Sequence, residues 1–154
     1  MQSDDQFRRT FEAATARLST WAEAQSDAAT VQTETMGPSW RLSLVPTAAN
    51  ACPVELIVHR DAQSFDIQVG PEASEGHRIE TFALLDDILA AVVDGRVVTQ
   101  QLSSVEAGSL LAVDTRVILG DGVDWMCRRL TAIGSHRPTH KALVRERHWL
   151  AYRR

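Results

Sequence analysis

Residues 29–70 read ATVQTETMGPSWRLSLVPTAANACPVELIVHRDAQSFDIQVG, and this stretch decides the fold. Trp40, Leu42 and Leu44 alternate with Ser39, Arg41 and Ser43, and Val54, Leu56 and Val58 with Glu55, Ile57 and His59. Phe65, Ile67 and Val69 continue the rhythm, and Val31, Thr33 and Thr35 precede it. A period of two places one set of side chains on a core and the other toward solvent, which is the signature of half-buried strands. Gly37-Pro38, Pro46 and the polar run Asp61–Ser64 supply turns between them. The prediction is an antiparallel meander of four strands in two hairpins.

Upstream, Phe7, Phe11, Ala14, Leu18, Trp21 and Ala22 recur at helical spacing, so an amphipathic helix is predicted from Asp4 to about Gln25. Ser3 and Gln6 form a capping-box pattern, and Asp4 and Asp5 place negative charge where the helix dipole favours it. Downstream, Pro71–Gly76 reads as a polar loop. Phe82, Leu85, Ile88, Leu89 and Val92 then define a second helix, with Thr81 to cap it and Gly95 just past its end. Arg96–Ser104 and Ser109–Leu119 are expected strands, Gly120-Asp121-Gly122 a turn, and Trp125 opens a further short run. Ala142–Tyr152 satisfies both helical and strand periods and is read as a strand.

No repeat or linker divides residues 1–154, so the expectation is one α+β domain: an antiparallel meander sheet with an N-terminal and a central amphipathic helix on one face. With 44% apolar and 23% charged residues, the composition is that of a folded globular protein rather than a disordered one. No apolar run is long enough for a membrane span, and Met1–Thr20 is charged throughout. A cytoplasmic protein without membrane partners is expected, and in that reducing setting Cys52 and Cys127 are expected as free thiols.

The net charge of −4 hides a split. Residues 1–125 hold 8 Arg against 19 acids, whereas residues 126–154 hold 8 basic residues against one acid. Fifteen of the sixteen basic residues are Arg, the exception being Lys141, a bias that fits GC-rich bacterial coding as well as selection for guanidinium contacts.

The basic segment supplies the binding residues expected from sequence: Arg128, Arg129, Arg137, Lys141, Arg145, Arg147, Trp149 and Tyr152. Guanidinium and ammonium groups contact phosphates, and rings beside them stack bases. The competing reading is that this segment neutralises the acidic body of its own chain or of a twin. Trp21 and Trp40 fall on core faces; Trp149, amid Arg145, Arg147 and His148, is expected to be exposed.

Other constellations are weaker. Cys127 with His136 or His140 as base would make a thiol nucleophile, but Cys127 beside Trp125 and Met126 reads as a core residue, as does Cys52. His136 and His140 lack the second ligand pair that structural zinc uses, and Pro138 separates them, so no metal is expected. Asp86-Asp87 reads as a solvated helix face and Asp121 with Asp124 as turn chemistry. No phosphate-binding glycine motif is present, and no cofactor is implied.

The layout of helix, meander, helix and strands is similar in outline to small acidic bacterial secretion chaperones and immunity proteins. That likeness carries no motif, and the basic C-terminus departs from it. The expectation is therefore a non-enzymatic bacterial protein-interaction module, a homodimer in its simplest form. The alternatives are nucleic-acid binding through residues 128–154, and a small-ligand site or enzyme assembled from Cys127, His136 and His140.

Overall fold

The computed structural model describes residues 3–105, 109–130 and 142–153, with the backbone alone for 128–130 and 142. Helix α1 (Asp4–Glu23) leads into strands β1 (Ala29–Met36), β2 (Ser39–Pro46), β3 (Val54–His59), β4 (Ser64–Val69) and β5 (Glu72–Arg78). Helix α2 (Ala83–Val93) follows, then β6 (Val97–Ser104), β7 (Leu110–Ile118), β8 (Asp124–Leu130) and β9 (Ala142–His148). The fold is α+β with an antiparallel meander, as the alternation in residues 29–70 predicts.

The meander runs β1-β2-β3-β4-β5 in sequence order. Its inner face carries Trp40, Leu42, Leu44, Val54, Leu56, Val58, Phe65, Ile67 and Val69, all buried. Each contributes on the order of 1.5–3 kcal/mol by leaving water. α1 lays Phe7, Ala14, Leu18 and Ala22 into the same core and packs on β1 and β2. Ser3 caps it by accepting from the Gln6 N–H at 3.4 Å. α2 is apolar on most sides, burying Leu85, Ile88, Leu89, Ala91, Val92 and Val93, and packs against β7. The helices are joined at Phe7–Phe82 (5.6 Å between centroids) and by the Arg17–Asp86 ion pair at 2.9 Å.

One reading changes. Residues 71–76 are not a loop: Glu72–Arg78 forms β5, an edge strand whose polar side chains hide the period of two, and Glu72 itself is buried. The strands after α2 lie outside the meander. They build a second sheet in the order β8-β7-β6-β9, whose Val97, Val117 and neighbouring Leu119 close the common core.

The C-terminal residues bind the two sheets together. After β9 the chain runs between the turn following α2 and the β2–β3 connection. Trp149 N–H donates to Val97 O (3.0 Å), Leu150 N–H to Asn50 O (2.8 Å) and Tyr152 N–H to Val93 O (2.9 Å). The Tyr152 hydroxyl donates to Cys52 O at 2.6 Å, and the Trp149 indole N–H to Thr99 Oγ1 at 2.9 Å. Arg153 finishes the strap on Asp27, on Gln25 Oε1 (2.7 Å) and on Ala24 O (2.8 Å). The extended reading of 142–152 holds, as β9 followed by this strap.

Candidate functional site

The structure divides the basic segment into two parts with different roles. Trp149 is 8% and Tyr152 4% exposed, so the expectation of an exposed Trp149 is corrected. Its ring is a core anchor packed over Gly70 and Cys52, where it makes an indole hydrogen bond, and neither aromatic presents a face to a nucleobase. Arg145 and Arg147 lie on β9 with exposed side chains. The Arg147 guanidinium sits 3.6 Å over the Trp149 ring, a cation–π contact that covers the anchor from the solvent side. Arg128 and Arg129 belong to β8, opposite Asp114 and Val113 respectively. Arg137 and Lys141 lie outside the described residues.

β9 is itself an edge. It pairs with β6 on one side, and among the described residues no strand lies on the other. Alternation sends Leu143, Arg145 and Arg147 to one face and Val144, Glu146 and His148 to the other. Glu146 is held by Gln100 (2.6 Å) and His148 (3.3 Å), and these hydrogen bonds keep its carboxyl below the usual range. Leu143 and Val144 are each 51% exposed, an apolar step on an open strand edge.

The other sequence candidates resolve differently. Cys52 and Cys127 are buried free thiols. Burial pushes Cys52 up to about 12; burial, and then the charges of Glu72 and Asp114, push Cys127 up to about 11. A thiol so protonated is no nucleophile near neutrality. His136 and His140 lie outside the described residues, and with them the site that would combine them with Cys127. Among the described residues no group of three or more His, Cys, Asp or Glu side chains could hold a metal ion, and no helix is long and apolar enough to cross a membrane. Asp121 caps its turn by accepting from Val123 N–H (2.9 Å), and Asp124 faces Arg116 at 3.9 Å.

The raised thiols make stability fall in alkali. Between about pH 9 and 11 the unfolded chain releases protons that the native chain keeps, so folding loses free energy as pH rises. A loss of about 2 kcal/mol per thiol is expected by pH 10.5. Urea midpoints at pH 8 and 10.5 read it, and the slope should flatten in Cys52→Ala/Cys127→Ala. Equal midpoints at the two pH values would contradict it.

A second cluster has no counterpart in the sequence reading. On the meander's outer face, Ser39 Oγ lies 2.9 Å from His59 Nδ1, and His59 Nε2 lies 2.7 Å from Asp66 Oδ2. Asp66 Oδ1 accepts from Gly76 N–H at 2.8 Å, beside the register shift between β4 and β5. Partial burial opposes ionisation of Asp66, but these hydrogen bonds and the nearby His59 and His77 outweigh it and hold the carboxyl below its usual range. The three residues come from three strands and share no local motif. The only hint was that Ser39 and His59 occupy outward positions of the alternating pattern.

No protein-family model, curated protein or solved structure matches the chain.

Proposed function

We propose that the chain is a protein-interaction module that pairs with a second copy of itself along β9, joining two four-stranded sheets into one across a two-fold axis. The observation that supports this reading is the open β9 edge with Leu143 and Val144 half exposed. Backbone groups on such an edge pair readily with another strand. Two copies of one strand related by a two-fold axis must oppose residues of the same face, so the symmetric registers centre on a residue.

Centring on Arg145 sets Arg145 against itself. Centring on Glu146 sets Glu146 against itself and Arg145 against Arg147. Centring on Val144 opposes Val144 to Val144, Leu143 to Arg145 and Ala142 to Glu146, with no like-charge pair among the described residues. The contact would then rest on backbone hydrogen bonds and an apolar centre, and depend little on salt. The bacterial cytoplasm is the setting that fits an Arg-rich chain with two buried thiols.

Cross-linking tests the register. Directly opposed residues bring Cβ atoms to about 4.5–5.5 Å, near disulfide reach. Val144→Cys should therefore oxidise to a covalent dimer while Leu143→Cys, facing Arg145, does not. The native thiols are buried and leave the assay clean. Equal cross-linking at both positions, or none at 144, would contradict the register. A monomer that binds single-stranded nucleic acid through Arg145 and Arg147 would favour polyanion recognition instead.

A further inference from the structure

We propose that Ser39, His59 and Asp66 form a nucleophile, base and orienting acid that accept a short acyl group from an activated ester. This activity is separate from pairing at β9 and departs from a purely non-enzymatic reading of the chain. With the ring neutral, an ionised Asp66 can only accept, so His59 donates Nε2–H to it and leaves the Nδ1 lone pair to accept the Ser39 O–H. That is the tautomer a general base needs, with Gly76 N–H orienting the carboxylate from behind. The ring is reversed relative to the familiar serine-hydrolase arrangement, but the roles depend on geometry and not on which nitrogen fills them.

The step balances within the chain and the substrate. Ser39 Oγ bonds to the acyl carbon as its proton passes to His59 Nδ1. The carbon–oxygen bond to the alcohol then breaks, and the Nδ1 proton goes to the departing oxygen. Water next attacks the acyl carbon, gives a proton to Nδ1, and the proton returns to Ser39 Oγ as acid is released.

Surroundings set the substrate class. Half-buried Met36, opposite Ser39, and Ile57 lie on the same face and offer apolar support to a short acyl chain. Beside Asp66 opens a groove of 140 Å³ lined by Glu55, Ile57, Asp66, Gln68, Ser74 and Glu75. Arg41 pairs with Glu55 at 3.2 Å, but Asp66 and Glu75 leave the groove net negative, which disfavours an anionic substrate and admits a neutral or cationic one. The His59 and Asp66 side chains are 33% and 27% exposed, so water competes at the site and the ester must carry a good leaving group.

The probe is p-nitrophenyl acetate, read by p-nitrophenol release and by intact-mass detection of acylated protein, with p-nitrophenyl succinate as the anionic comparison. The expected result is an acyl adduct on Ser39, absent in Ser39→Ala, with acylation at least 10²-fold slower in His59→Gln. The acetate should react faster than the succinate. Circular dichroism and urea midpoints of both variants establish that they are folded. No adduct at Ser39 in the wild-type chain, or a rate unchanged in folded His59→Gln, would overturn the proposal.

Discussion

Replacing Trp149 by alanine is expected to lower unfolding free energy by about 3–5 kcal/mol, among the largest effects of any single truncation in this chain. The side chain fills the space over Gly70 and Cys52, where a Cβ built at Gly70 would already lie 3.1 Å from the indole and 3.3 Å from the Cys52 sulfur. Its removal leaves a cavity, leaves buried Thr99 without the indole donor, and strips Arg147 of its aromatic support. The loss should lower the melting temperature by roughly 6–20 °C for a domain of this size. Trp149→Phe keeps most of the packing and should recover more than half. A loss below about 1 kcal/mol in urea unfolding would show that the strap is an appendage rather than a clamp.

The second large effect is expected at Gly95, just past α2, where φ is +77°. A Cβ there would lie 2.4 Å from the Ala151 nitrogen and 2.7 Å from the Leu150 carbonyl carbon, both backbone atoms of the strap. Gly95→Ala therefore combines left-handed strain with a contact that only displacement of the strap can relieve, for about 2–6 kcal/mol in total. Gly37 provides the control: its φ is +58°, and a Cβ there meets nothing within 4 Å. Gly37→Ala should cost about 1 kcal/mol, the strain alone. Equal losses in the two variants would remove the case for a tightly seated strap.

These two residues show where sequence reasoning reached and where it stopped. Gly95 was legible as a helix terminator, because φ > 0 past a helix end is a local property. Its closeness to Ala151 belongs to a pairing across more than fifty residues, which no local pattern encodes. The burial of Trp149 was hidden for the same reason: its neighbours Arg145, Arg147 and His148 are exposed, but its ring lies beneath Arg147, against Gly70 and Thr99. The meander was readable because β2, β3 and β4 each bury one face against a shared core. β5 was not, since Glu-Ala-Ser-Glu-Gly-His-Arg has no apolar alternation and takes its form from the backbone of β4.

The candidate sites follow the same rule. Arg145 and Arg147 were found from charge density, which a sequence displays directly. Ser39, His59 and Asp66 occupy outward positions of three strands, where polar residues are ordinary. Only strand register sets Ser39 opposite His59 and brings Asp66 within reach of the ring.

Light scattering behind a sizing column, run on the wild-type chain and on Val144→Lys at low and high salt, tests association through β9 most directly. The account predicts twice the chain mass for the wild type at both salt concentrations. It predicts a folded species of single mass for Val144→Lys, because a lysine at the centre of the seam would face its own copy. A wild-type chain that stays monomeric, or a Val144→Lys variant that still elutes at twice the chain mass, would contradict it.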